Sequence, residues 1–247
     1  MEINTPYILE ENKDFAVVFK PPKMHTAAKN ISFKQRDSKN ESHLFLCENN
    51  TLLDWYSANS SSVFDVMHRL DFETHGLVLF AKNKSSYEYF KFIQDRGEFK
   101  KEYSAVCVPS GLDFISGFPA PPVFSSLDKP FTIESWFRPF GPGRKLVRPV
   151  IEDGKKHREI AADKESFYKT EILKKDGNVF TAQIMRGFRH QIRCHLCWIG
   201  FPVKNDPLYP QEKKESPELA LRAQALFFFD PAGEKREIRI DALIECG

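Results

Sequence analysis

Short apolar runs, each cut off by proline, glycine or charge, set the rhythm of this chain, and most of them have strand length. Asp14–Phe19 (DFAVVF) is such a run and stops at Lys20-Pro21-Pro22, which predicts a strand ended by proline. From Asn30 to Ser62 the chain turns polar and irregular, which predicts loops with a brief helix near Leu52–Tyr56. Gly76–Ala81 (GLVLFA) is a second apolar strand run. Over Lys84–Arg96 the period changes: Ser86, Tyr89, Phe90 and Ile93 share one helical face, and Gly97 suits the helix end.

Beyond residue 97 the pattern reads mainly as strands. Tyr103, Ala105 and Cys107 alternate with Glu102, Ser104 and Val106, which predicts a strand over Phe99–Val108. Gly111–Val123 reads as a long loop, Phe131–Phe137 as a strand, and Gly141–Lys145 as a basic loop. Ser166–Ile184 predicts a hairpin turning at Asp176-Gly177. His190–Trp198 predicts a helix closed by Gly200, and Ala225–Ile240 a last hairpin turning near Asp230–Gly233. Hairpins with helices between them, without strict βαβ alternation, predict an α+β fold: a mostly antiparallel mixed β-sheet core with flanking helices and loops. No linker stands out, so residues 1–247 are expected to form a single domain.

Composition narrows this picture only slightly. With 247 residues the chain can bury a core without disulfides or metals, and its 23 Phe supply much of that core. A formal net charge of +2 lacks the basic excess of many nucleic-acid binders, so any such role must rest on local clusters. Five cysteines, an odd number, with no signal-like start and no membrane-length apolar run, suit a reducing cytoplasmic location. Neither a dinucleotide-binding glycine fingerprint nor a P-loop is present.

Two segments concentrate polar residues where the hydrophobic pattern gives them no reason to be. Val66–Leu77 (VMHRLDFETHGL) is a charged knot just before an apolar strand. Within it Asp71 sits between Leu70 and Phe72. A carboxylate held there stays ionised only with a cation or several donors nearby. The ordinary alternative is a turn-forming Asp bonded to loop amides. In Arg186–Leu196 (RGFRHQIRCHL), Arg189 and Arg193 are four apart and would share a helix face, attractive to an anion, or else form a solvated basic face. Cys194-His195-Leu196-Cys197 contains one C-x-x-C pair. A structural zinc site wants four ligands, so buried small apolar thiols are the default and no metal is expected.

His68-Arg69-Leu70-Asp71, followed by Thr74 and Gly76-Leu77, resembles the H-R-L-D-x-x-T-S-G-L motif of the RluA family of RNA pseudouridine synthases. His190-Gln191-Ile192-Arg193 with His195-Leu196, Gly200, Pro202, Asp206 and Tyr209 resembles that family's H-Q-I-R-x-H-L…G-x-P…D-x-x-Y stretch. Lys101-Glu102-Tyr103-Ser104-Ala105 resembles its K-x-Y-x-A strand, and Lys20-Pro21 its early K-P. The four motifs stand in family order between about Tyr7 and Ile240. The resemblance implies isomerisation of uridine to pseudouridine in ribosomal or transfer RNA, with no cofactor. Asp71 would be the catalytic carboxylate, Arg193 would pair with it and hold it ionised, and Tyr103 would stack on the target base. Arg69 would help displace the base, and Leu219 or Leu221 would line the pocket. His68, Thr74, His190 and Gln191 complete the expected substrate-binding set, although His68 reads as a structural hydrogen-bonder rather than a general base.

Several positions depart from the pattern: His75 for Ser, Phe188 and Arg189 after Gly187, Asn205 before Asp206, and Arg222 for His. They bear on target specificity. Many members carry a separate N-terminal RNA-binding domain. A first strand near residue 14 leaves no room for one, so the catalytic domain would grip RNA through Lys100, Lys101, Arg138, Arg144, Lys145 or Arg148. A monomer with no membrane attachment is expected. The competing readings are a catalytically silent RNA-binding protein of the same fold, which would not need Asp71, and a thiol or metal enzyme centred on Cys194 and Cys197.

Overall fold

A computed structural model describes residues 4–28, 50–110, 117–151, 167–209 and 218–240. The expected loops at 30–49 and 111–116, Cys47 and Cys246 lie outside the described residues. The chain divides into two compact units, Met1–Phe90 and Lys91–Gly247.

In the first unit the two apolar runs pair with each other. β2 (Phe15–Lys20) and β4 (His75–Ala81) run antiparallel from Phe15 opposite Ala81 to Lys20 opposite Gly76. Every residue of both strands is buried, which explains why the sequence shows unbroken apolar runs rather than alternation. The half-exposed β1 (Tyr7–Glu11) borders β2, and the two-residue β3 (Asp65–Val66) borders β4. Neither edge strand was legible in the pattern: β1 (YILEE) runs from three apolar residues into two glutamates without alternation, and β3 is too short to have a period. Gly76 enters β4 at φ +123°, a conformation open to glycine and costly for any L side chain. Helix α1 (Leu52–Asn59) starts on a reciprocal cap between Thr51 and Asp54.

Helix α2 (Lys84–Asp95) runs across the division between the units. It buries Ser86, Phe90 and Ile93 as its period predicts, while Tyr89, expected on the same face, is half-buried, and Gly97 closes the helix at φ +71°.

The second unit is an antiparallel sheet. β10 (Leu221–Phe229) is flanked by β11 (Lys235–Arg239) and β5 (Lys100–Val106), and from β5 the order continues through β9 (Val179–Ile184), β8 (Tyr168–Asp176), β6 (Phe131–Phe140) and β7 (Leu146–Val150). The expected basic loop at 141–145 is a tight turn, Pro142–Arg144, joining β6 to the unforeseen β7. The hairpin of β8 and β9 turns at Gly177-Asn178, one residue later than expected, because Asp176 pairs with Val179. Helix α3 (Gln191–Trp198) is buried at every position, so it has no solvated basic face. Arg189 lies before the helix and is exposed, so it does not share a helix face with the fully buried Arg193. Among the described residues no helix is long and apolar enough to cross a membrane.

Candidate active site

The first unit presents Asp71 on a loop whose neighbours are fixed one by one. Thr26, 1% exposed, bonds both sides of Leu70 through its hydroxyl: Leu70 N–H donates to it at 3.1 Å, and it donates to the Leu70 carbonyl at 3.2 Å. The Asp71 carbonyl accepts from Thr74 N–H at 3.1 Å. The next carbonyl, on Phe72, accepts from the Lys20 ammonium at 3.3 Å, which also donates to Pro21 O and Met24 O at 2.9 and 2.8 Å. Lys20 is fully buried, and burial draws its pKa down to about 7 against the opposing pull of the Asp71 and Glu73 charges. A buried ammonium thus ties the Pro21–Met24 turn to the loop and places positive charge close to the half-buried Asp71. In the sequence, Lys20 gave only its part in the K-P motif. The further signal was a lysine closing an otherwise apolar strand.

The other expected residues of this loop divide by environment. Arg69 is exposed and reaches the Ala27 carbonyl at 3.3 Å. His68 Nε2 accepts from Leu79 N–H at 3.2 Å. Thr74 is 2% exposed, and its hydroxyl has no hydrogen-bond partner among the described residues. A buried hydroxyl in that state is costly unless a ligand or water meets it.

The second unit holds the other motif residues. Tyr103 is 6% exposed on β5, with Ala182 of β9 on one side and Ala223 of β10 on the other. Two alanines abreast of a tyrosine leave its cross-strand neighbours small. Leu219, two residues before β10, and Leu221, its first residue, are buried. On α3, Arg193 makes a bidentate pair with Asp206: Nε to Oδ2 and Nη2 to Oδ1, both 2.7 Å, with neither side chain exposed. Asp206 Oδ1 also accepts from Leu208 N–H at 2.8 Å and Tyr209 N–H at 3.1 Å, so the carboxylate is itself oriented. The Tyr209 ring lies 5.7 Å from the guanidinium, and its hydroxyl bonds Val147 on β7. The sequence flagged Asp206 only as a motif position. Its bond to Arg193 spans 13 residues of loop and helix and has no signature in periodicity.

Gln191 and His195 serve the scaffold. The Gln191 amide donates to Lys169 O and Thr170 Oγ1, while its oxygen accepts from Phe188 N–H. Gln191 is 2% exposed. His195 is fully buried between two hydroxyls, Nε2 to Ser135 and Nδ1 to Thr170, each at 2.9 Å, and burial lowers its pKa to about 3. It is therefore a neutral ring fixing α3 to β6 and β8. His190 sits at the start of α3 with φ +57°, and burial followed by the charges of Arg193 and Arg189 lowers its pKa to about 3.

Cys107, Cys194 and Cys197 are buried free thiols whose pKa values burial pushes up, so they are poor sources of thiolate. Among the described residues no three His, Cys, Asp or Glu side chains converge as a metal site.

On the exposed side of β6 and β7, Arg138 stands directly opposite Arg148. Burial and the charge of Arg138 lower the pKa of Arg148. Arg144 and Lys145 are exposed at the connecting turn, and Arg189 braces it through the carbonyls of Arg144 and Leu146 at 2.8 and 3.1 Å. Like charges facing across a strand pair are unfavourable unless an anion offsets them. Lys101, by contrast, is 6% exposed with its ammonium on the Met185 carbonyl at 2.8 Å, so it is no part of a basic surface.

Comparison with known proteins agrees with these motifs. The chain is 30% identical over 233 residues to an uncharacterized RNA pseudouridine synthase of Mycoplasma pneumoniae, covering 92% of this chain and 63% of that protein. It is 29% identical over 174 residues to the dual-specificity RNA pseudouridine synthase RluA of Vibrio parahaemolyticus, covering 67% of this chain and 60% of that one. The chain thus spans less than two thirds of the length of either relative. The solved structure of human RNA pseudouridylate synthase domain containing 1 superposes with a TM-score of 0.61 at 16% identity, over 98% of this chain and 85% of that one, which shows the shared fold. The family model for RNA pseudouridylate synthase matches residues 14–198, a span that takes in the Asp71 loop, Tyr103 and α3, and the chain belongs to that family.

Proposed function

We propose that this chain isomerises uridine to pseudouridine in ribosomal or transfer RNA, as a cytoplasmic monomer, with Asp71 as the catalytic carboxylate and without a cofactor. The observation that carries this reading is the Asp71 loop. Thr26, Lys20 and Thr74 hold the backbone on both sides of a half-buried carboxylate, inside the segment that matches the family. A group fixed before substrate arrives costs no reorganisation at the moment of reaction.

The reaction breaks the N1–C1′ bond, turns the uracil and joins C5 to C1′. The C5 proton leaves and N1 gains one, so nothing is oxidised, hydrolysed or phosphorylated. A carboxylate can carry the intermediate state as a transient covalent link to sugar or base. The target base must leave its stack to be reached. Arg69, exposed two residues before Asp71, is proposed to help displace it, and Tyr103 to stack on it. The unmet hydroxyl of Thr74 is a candidate donor to the nucleotide. Arg193 enters with its plane set by Asp206. Arg138, Arg148, Arg144 and Lys145 on the β6–β7 hairpin are proposed to hold RNA phosphates.

The test is to incubate the protein with total RNA from cells lacking the gene and to map pseudouridine, then to repeat with Asp71→Asn. The proposal expects discrete new pseudouridines from the parent protein and none from a folded Asp71→Asn. Equal product from both removes the role of Asp71. RNA binding without product from either favours a silent RNA-binding protein.

A further inference from the structure

We propose that the rings of Phe72 and His25 form a stacking platform for an unpaired nucleobase next to the uridine that Asp71 attacks. The inference rests on the catalytic reading of Asp71 and adds a neighbouring subsite.

Phe72 follows Asp71 directly and is 39% exposed, whereas nine phenylalanines among the described residues are buried in the core. Its ring lies 4.7 Å from that of His25, tilted by 41°, and His25 is exposed as well. Exposure here does not come from a loose loop. The backbone under both rings is locked: Thr26, next to His25, clamps Leu70, two residues before Phe72. The buried Lys20 holds the Phe72 carbonyl. The His25 carbonyl accepts from Leu52 N–H at 2.9 Å, and His25 bridges to Thr51 at the cap of α1. Two aromatic faces are thus held rigidly and left partly in water beside a carboxylate, an arrangement that packing alone does not require.

The surroundings select the ligand. Arg69 is exposed on the same loop, and Lys23 is exposed on the turn that Lys20 ties to Phe72. Aromatic faces bordered by cations suit a base together with its phosphates, and every base has a π-face, so stacking tolerates sequence while favouring an unpaired nucleotide. A base drawn onto the platform would leave the stack beside the target uridine, easing that uridine's own exit.

The probe is a short single-stranded RNA with one uridine and 2-aminopurine beside it, on the 3′ side in one version and the 5′ side in the other. Stacking on an aromatic ring quenches 2-aminopurine emission. The parent protein is expected to quench one of the two versions. Phe72→Ala and Phe72→Leu should lose that quenching and bind roughly 10-fold or more weakly. Phe72→Tyr should restore both, because it returns the π-face that Leu lacks. Asp71→Asn should keep the quenching while making no pseudouridine, so the platform and the catalytic assignment fail separately. Equal quenching by the parent, Phe72→Ala and Phe72→Leu, or none with either version of the RNA, overturns the platform.

Discussion

Replacing Asp206 by alanine removes the carboxylate that grips Arg193, and its cost can be worked from the geometry. Both side chains are fully buried, and the two bonds are charge-assisted and bidentate at 2.7 Å. Removing one partner of such a pair takes the bidentate counter-charge from the other in low dielectric, which costs about 3–5 kcal/mol. The Leu208 and Tyr209 amides lose their acceptor on Oδ1 as well, so the upper half of that range is expected. Against a total stability of roughly 5–15 kcal/mol the loss is large. Urea unfolding followed by circular dichroism, comparing midpoints at constant slope, is the assay. Asp206→Asn should fall between parent and alanine, since one amide oxygen can still serve the two backbone donors but lacks the charge. Arg193→Met combined with Asp206→Leu should recover part of the loss, because the buried charge is gone while the Leu208 and Tyr209 amides still lack their acceptor. An Asp206→Ala variant that loses less than about 1 kcal/mol would refute the reasoning, since something other than this carboxylate would then be holding the guanidinium.

Three further outcomes follow from the same geometry. His195 has a folded pKa of about 3 against an ordinary 6.5, so its contribution is intact above about pH 6.5 and is lost as pH falls toward 3, where the unfolded chain takes up a proton the folded one refuses; His195→Gln should flatten that acid slope in pH-dependent unfolding, leaving the part that belongs to His190. Lys20, with a folded pKa of about 7 against 10.5, binds fewer protons folded than unfolded between those values, so parent stability should rise with pH across that window and Lys20→Met should lessen the rise, the rest belonging to Lys101 at about 8. On the β6–β7 hairpin, Arg144→Ala or Arg148→Ala should weaken binding to total RNA and lower the slope of log affinity against log salt by about 1 each; an unchanged slope would place the RNA elsewhere.

How much of this was legible beforehand depended on whether a feature is local. β2, β4 and α2 follow from runs and periods within a few residues, and the structure has them within a residue or two of the expected bounds. β1, β3 and β7 escaped because a half-exposed or very short edge strand takes its pairing from a neighbour rather than from its own pattern. Asp71 and Arg193 drew attention because polar residues amid apolar ones ask for a reason, while Tyr103 and the roles expected of all three came from the resemblance to the family's motifs. Their partners could not be read in this way. Thr26 on Leu70, Lys20 on Phe72 and Asp206 on Arg193 are contacts made by the fold. The same holds for α3: a solvated basic face was one of two readings open for Arg193, and Asp206 pairs it in the interior, while Ser135 and Thr170 hold His195 there. Gln191 likewise makes three scaffold bonds that its place in a motif did not announce.

The central claim is that Asp71 drives the migration of uracil from N1 to C5 attachment. Joining C5 to C1′ expels the hydrogen on C5, so RNA transcribed with uridine tritiated at C5 and incubated with the protein reports the reaction as tritium in water. The account predicts release by the parent protein, matched by pseudouridine in the digested RNA, and none above background by an Asp71→Asn variant with parent-like unfolding. Release by Asp71→Asn at the parent rate, or no release by the parent from any RNA of cells that lack the gene, would contradict it.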